Sequence, residues 1–107
     1  MPVRSALLVA VLGAGSMAAG SAYAAEVSMQ AFGFVPATLT VQKGATVVWT
    51  NRDDVPHSVT AADGRFDSGP VAPGKSFEWV APDDRPVAYH CIYHPSMTGS
   101  IKITAKP

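Results

Sequence analysis

The chain has 107 residues, 48% of them hydrophobic, and its 8 basic and 8 acidic side chains cancel with histidine neutral. That balance offers no basic stripe for a nucleic-acid backbone, and the length fits one small domain. Cys91 is the only cysteine, so an intrachain disulfide is excluded and a bound metal becomes the available staple for so small a core.

Residues 1–24 read as a leader. Arg4 gives a positive start, Ala6 to Leu12 form a short apolar run, and Ala22-Tyr23-Ala24 has the small-x-small pattern of a secretory cleavage site. The apolar run is too short to span a membrane comfortably. Cleavage after Ala24 leaves residues 25–107 as the mature domain, with seven basic against eight acidic residues once Arg4 is lost. A domain of that size buries only about 60–65% of its unfolded surface and is marginal without help.

The predicted elements are all strands. Val27 to Gln30 opens the domain, and Thr38-Leu39-Thr40-Val41-Gln42 alternates apolar and polar residues before the turn at Lys43-Gly44. Thr46 to Thr50 is rich in β-branched and aromatic residues, and Asn51-Arg52-Asp53-Asp54 ends it. His57 to Ala61 reads as a strand closed by Asp63-Gly64, Ser76 to Val80 as one bounded by Pro73-Gly74 and Pro82-Asp83-Asp84. Val87 to Cys91 runs into a loop, and Gly99 to Thr104 closes the chain as an alternating strand. No window of helical length shows the 3.6-residue period, and turn signals near every tenth residue predict a β-sandwich. Val47 with Trp49, and Phe77 with Trp79, share strand faces expected to meet the core.

The chemistry gathers in Cys91-Ile92-Tyr93-His94-Pro95-Ser96-Met97, a thiolate, an imidazole and a thioether at C-x2-H-x2-M spacing. His57 lies upstream. Two His, one Cys and one Met are the donor set of a blue-copper electron-transfer site. Adjacent strand residues point to opposite faces, so His90 should face away from whatever Cys91 faces. Met97 is the axial candidate because it shares the segment with His94, whereas Met29 sits in an apolar strand and reads as core. A buried apolar thiol or a nucleophilic cysteine leaves Met97 unexplained, and structural zinc favours stronger donors than a thioether. The expected ligands are therefore His57, Cys91, His94 and Met97, holding one copper ion that cycles between Cu(I) and Cu(II).

At these residues the chain resembles the type 1 copper proteins, cupredoxins of the amicyanin and plastocyanin-like group. Val47-Val48-Trp49-Thr50-Asn51 with Val55-Pro56-His57-Ser58-Val59 resembles the family's first ligand region. Phe66-Asp67-Ser68-Gly69 and Pro73-Gly74 resemble its middle turns, and Tyr89 to Met97 its ligand loop. The gap of two residues between His94 and Met97 is similar to amicyanin. The resemblance implies a Greek-key sandwich with copper at one end, and a His94 edge reaching the surface within an apolar patch drawn from Pro56, Pro95, Val55 and Phe34. Ser58 stands where relatives often have Asn, and the resemblance implies that it hydrogen-bonds across to the ligand loop. Tyr93 stands where relatives often have Pro, and its N–H is expected to reach the Cys91 sulfur. The function implied is a monomeric periplasmic one-electron carrier, not an enzyme, working between redox proteins such as a dehydrogenase and a c-type cytochrome. No nucleic-acid partner and no stable membrane insertion are expected. Copper storage or delivery through the same ligands is the competing reading.

Overall fold

The computed structural model describes residues 24–105, and the leader expected over 1–24 lies almost entirely outside them. Eight strands form: β1 (Ala24–Gln30), β2 (Gly33–Val35), β3 (Thr38–Gln42), β4 (Thr46–Asn51), β5 (Thr60–Ala61), β6 (Ser76–Val80), β7 (Val87–Cys91) and β8 (His94–Thr104). No helix long and apolar enough to cross a membrane occurs among the described residues. The strands divide into two four-stranded sheets, ordered β2-β1-β4-β6 and β3-β8-β7-β5. The chain passes between sheets after β2, β3, β4, β5 and β6, and β1 pairs with β4, and β3 with β8, in parallel. This is the all-β sandwich expected from the turn spacing.

Alternation explains the core. β4 reads intermediate–buried three times over, with Val47 and Trp49 both fully buried. Trp49 sits at the centre of an aromatic group, with ring centroids 5.4 Å from Tyr89, 5.7 Å from Phe66 and 5.8 Å from Phe77. Phe77 and Trp79 lie on an edge strand and are only partly buried against this core. Met29 is fully buried, as its apolar strand implies.

Gly99 lets the last strand pass the core. A Cβ placed there would lie 2.5 Å from both Cζ and Oη of Tyr89, itself 2% exposed. Forcing extra volume into a packed core costs about 1–3 kcal/mol, and each kcal/mol moves the melting point of a domain this small by about 4–8 °C. Gly99→Ala should therefore melt at least about 4 °C below the parent by circular dichroism, and an unchanged Tm would show that Tyr89 can withdraw freely.

Two strand expectations change. The segment before β5 is not a continuous strand: His57 makes only an isolated bridge to Val71. The reason is that Ser58 N–H is turned to the Cys91 sulfur and Val59 N–H to the Ser68 hydroxyl, so two successive donors leave the ladder. β8, in contrast, starts five residues earlier than expected. Cys91 pairs directly with His94 across a tight turn at Ile92-Tyr93, and the next pair is His90 with Thr98. One step on β7 thus faces four on β8. This irregularity breaks the alternation that would otherwise aim His94 and Met97 to opposite faces.

A charged knot ties the start of the β5–β6 connection to the β6–β7 connection. Arg65 pairs with Asp63 and Asp83 and donates to the carbonyls of Arg85 and Pro86. Asp63 is held below its ordinary range chiefly by the Arg65 backbone N–H, and Asp83 chiefly by the Arg85 side chain. A carboxyl depressed in the folded state stabilises above its unfolded value, about 4, and loses that contribution as pH falls through the folded value. Arg85→Gln, which removes the guanidinium that chiefly holds Asp83 down, should therefore show a slightly shallower fall in Tm between pH 5 and pH 2, on the order of the small effects typical of exposed pairs.

Candidate metal centre

Three of the four expected ligands converge. One donor atom from each of His57, Cys91 and His94 lies within 4.8 Å of the others. Cys91 Sγ stands 3.8 Å from His57 Nδ1 and 3.6 Å from His94 Nδ1. Metal–sulfur and metal–nitrogen bonds of about 2.3 and about 2.0 Å, opened to about 120°, give a sulfur–nitrogen edge of about 3.7 Å. The observed edges match that trigonal span, so the donor set fits an ion seated among the three. His57 and Cys91 are fully buried and His94 is partly exposed. Met97 is 1% exposed in β8 within the same segment. His90 stays outside the cluster, opposite Thr60 on β5, as alternation predicts.

Each candidate ligand is held by its neighbours. His57 Nε2 donates to Asp53 Oδ2 at 2.7 Å, which fixes the tautomer and leaves the Nδ1 lone pair facing Cys91. Asp53 also accepts from the backbone N–H groups of Ala31 and Phe32, at 2.8 and 3.0 Å. Desolvation pushes its carboxyl up, but the bonds from Phe32, His57 and Ala31 outweigh this and hold it below the usual range. Asn51, fully buried, donates to the Val55 and Val71 carbonyls and accepts from Asp53 N–H, shaping the turn that carries Asp53 and Pro56.

Ser58 does bond to the ligand turn: its hydroxyl accepts from Ile92 N–H at 2.9 Å. The sulfur contact expected from Tyr93 is not formed. Among the described residues, the backbone N–H reaching Cys91 Sγ is that of Ser58, at 3.4 Å. Tyr93 occupies the turn itself, where the hairpin geometry directs its side chain, 46% of the residue exposed, to the surface.

The apolar patch is also revised. Val55 and Pro56 line a cleft of about 370 Å³ beside His94, joined by Pro70 and Tyr93. Phe34 is not there. It is 3% exposed and packs on Tyr89 with ring centroids 4.7 Å apart. Pro95 lines a separate groove with His90 and Thr98. The aromatic at the site is Phe32, half exposed, whose ring meets His94 at 4.7 Å and His57 at 5.4 Å, edge-on to both. Its signal in the sequence was weak, because β2 is only three residues long and the turn before it uses Ala31 and Phe32 at φ of 51° and 58°, not glycine or asparagine. The signal for Asp53 was a carboxylate four residues before a ligand candidate.

A two-sheet sandwich with a thiolate and two imidazoles at one end defines a copper-binding class. The chain belongs to the cupredoxin family: the sequence profile of the Cupredoxin-like domain matches residues 3–103. No curated protein matches it significantly. Among solved structures it is similar to a purple cupredoxin from Nitrosopumilus maritimus, with 29% identity, 75% of this chain and 99% of that chain covered, and a TM-score of 0.68. Two amicyanin variants share the fold. An oxidised proline-to-alanine variant is 24% identical over 75% of this chain and 81% of that one, TM-score 0.71. The Cu(I) form of a methionine-to-alanine variant is 24% identical over 81% and 86%, TM-score 0.70. Copper is the cofactor, and electron carriage the general role, that this family and this donor set share.

Proposed function

We propose that the chain is an exported one-electron carrier of the amicyanin-like kind. In this reading His57, Cys91, His94 and Met97 would hold the copper ion, with the Met97 thioether as the weakest donor. The observation that carries it is the trigonal spacing of Cys91 Sγ with two Nδ1 atoms at 3.6 and 3.8 Å. Bound copper supplies the one-electron couple. The protein supplies donors already placed for it: Asp53 orients His57, Ser58 N–H supports the thiolate, and the turn at Ile92-Tyr93 sets Cys91 against His94. Donors held this firmly favour a small geometric change between oxidation states.

His94 is the ligand that borders the surface, and electrons pass there, through the apolar cleft of Val55, Pro56, Pro70 and Tyr93. The partners are redox proteins, a dehydrogenase and a c-type cytochrome being the expected kinds. The mature domain, residues 25–107 after removal of 1–24, works in the periplasm as a monomer.

The test is a visible spectrum and voltammogram of copper-loaded protein beside Cys91→Ala. An intense visible band with a reversible one-electron wave, both lost in the variant, is the expected result. Absence of the band in the parent would overturn the reading. Copper transfer to an acceptor apoprotein outpacing electron exchange would favour storage or delivery instead.

A further inference from the structure

The side chains around Ser58 form a connected series that leaves the copper end. Ile92 N–H donates to Ser58 Oγ at 2.9 Å, Ser58 Oγ lies 2.9 Å from Thr60 Oγ1, and Thr60 Oγ1 donates to Asp67 Oδ1 at 3.1 Å. Its two ends fix its direction. A backbone N–H can only donate and a carboxylate only accepts. The Thr60 proton therefore goes to Asp67, the Ser58 proton to Thr60, and the Ser58 lone pairs remain for Ile92. Asp67 is itself held by Gly69 N–H at 3.0 Å and by its bridge to Thr60.

We infer that Thr60 and Asp67 are positioning residues for the copper turn: through this one-way chain they keep the Ser58 hydroxyl oriented as an acceptor for the residue that follows Cys91. Ser58 N–H already donates to the Cys91 sulfur, so Ser58 grips the turn twice, and only its hydroxyl is free to rotate. Remove Thr60 Oγ1 and the Ser58 proton has no assigned acceptor. The hydroxyl then samples rotamers, and the Ile92 bond is made only part of the time. Chained hydrogen bonds strengthen one another, so the carboxylate at the far end improves Ser58 as an acceptor. Asp67 faces water and Thr60 is only partly buried, which limits the effect to a moderate one.

The inference rests on the proposed ligand role of Cys91 only for its consequence, not for its test. The measurement is amide exchange of Ile92 in the metal-free protein, read by nuclear magnetic resonance, in Thr60→Val and Asp67→Ala. Exchange at Ile92 should rise on the order of 10-fold in both, with Ile101 and Ile103 in β8 unchanged, and Asp67→Asn, which keeps an acceptor oxygen, should restore most of the protection. In a Ser58→Ala background Thr60→Val should add nothing. Unchanged Ile92 exchange, or acceleration spread equally over β8, would overturn the inference. Copper-loaded Thr60→Val should also release Cu(I) to a chelator about 3–10-fold faster, a fraction of what direct partners of a ligand give. Loss of the Ile92 effect would count against the chain, whereas a full Ile92 effect without faster release would count against the ligand reading.

Discussion

Copper-loaded protein is expected to melt about 15–30 °C above the metal-free chain. An ion bound only by the folded state stabilises it by about 4 kcal/mol when free copper stands a thousandfold above Kd. A small domain moves by about 4–8 °C per kcal/mol. The effect is large here because the proposed ligands come from two distant places, His57 before β5 and the β7–β8 turn, and because the protein has only one cysteine and so no disulfide of its own. An ion shared by them ties the segment that interrupts one sheet to the hairpin of β7 and β8. Calorimetry with and without copper reads the difference, and Cys91→Ala should lose nearly all of it. Equal melting points for loaded and metal-free protein would mean that the unfolded chain holds copper as well as the folded one, or that the three donors do not share an ion.

The cluster was legible because its chemistry is carried by rare residue types. With one cysteine and three histidines, strand alternation alone sends His90 away from Cys91, and the structure places it opposite Thr60. The sandwich was legible from turn dipeptides and from strands such as Thr38–Gln42 and Ser76–Val80, whose bounds agree with the alternating pattern. What escaped was set by tertiary hydrogen bonding. Nothing in Ser58-Val59 announces that both N–H groups will be diverted to side chains, a sulfur from β7 and a hydroxyl from Ser68. The irregular pairing that lets β8 begin at His94 has no local signature either. Phe34 and Phe32 are separated by one glycine, and both lie in a segment too short for a period to be read. The left-handed backbone of Ala31 and Phe32 decides which ring enters the core and which reaches the imidazoles.

That backbone gives Asp53 a second task and makes it the side chain outside the ligand set with the largest predicted effect. Left-handed geometry costs a non-glycine residue about 1–2 kcal/mol, and the β1–β2 turn carries two in succession. Both N–H groups end on the Asp53 carboxylate, which also takes the proton of His57 Nε2. One side chain, 14% exposed, thus orients the proposed ligand His57 and holds the turn that lays Phe32 across both imidazoles. Asp53→Ala should weaken copper binding about 10–100-fold, the usual loss when the partner of a ligating histidine is removed. A competition titration against a chelator reads the change. Phe32→Ala separates the two tasks, since it removes the ring and keeps every bond to Asp53. If the carboxylate acts through the His57 tautomer, Phe32→Ala should lose less than a third as much on a logarithmic scale. Equal losses in the two variants would instead assign the effect to the packed ring, with Asp53 serving only as the anchor of its turn.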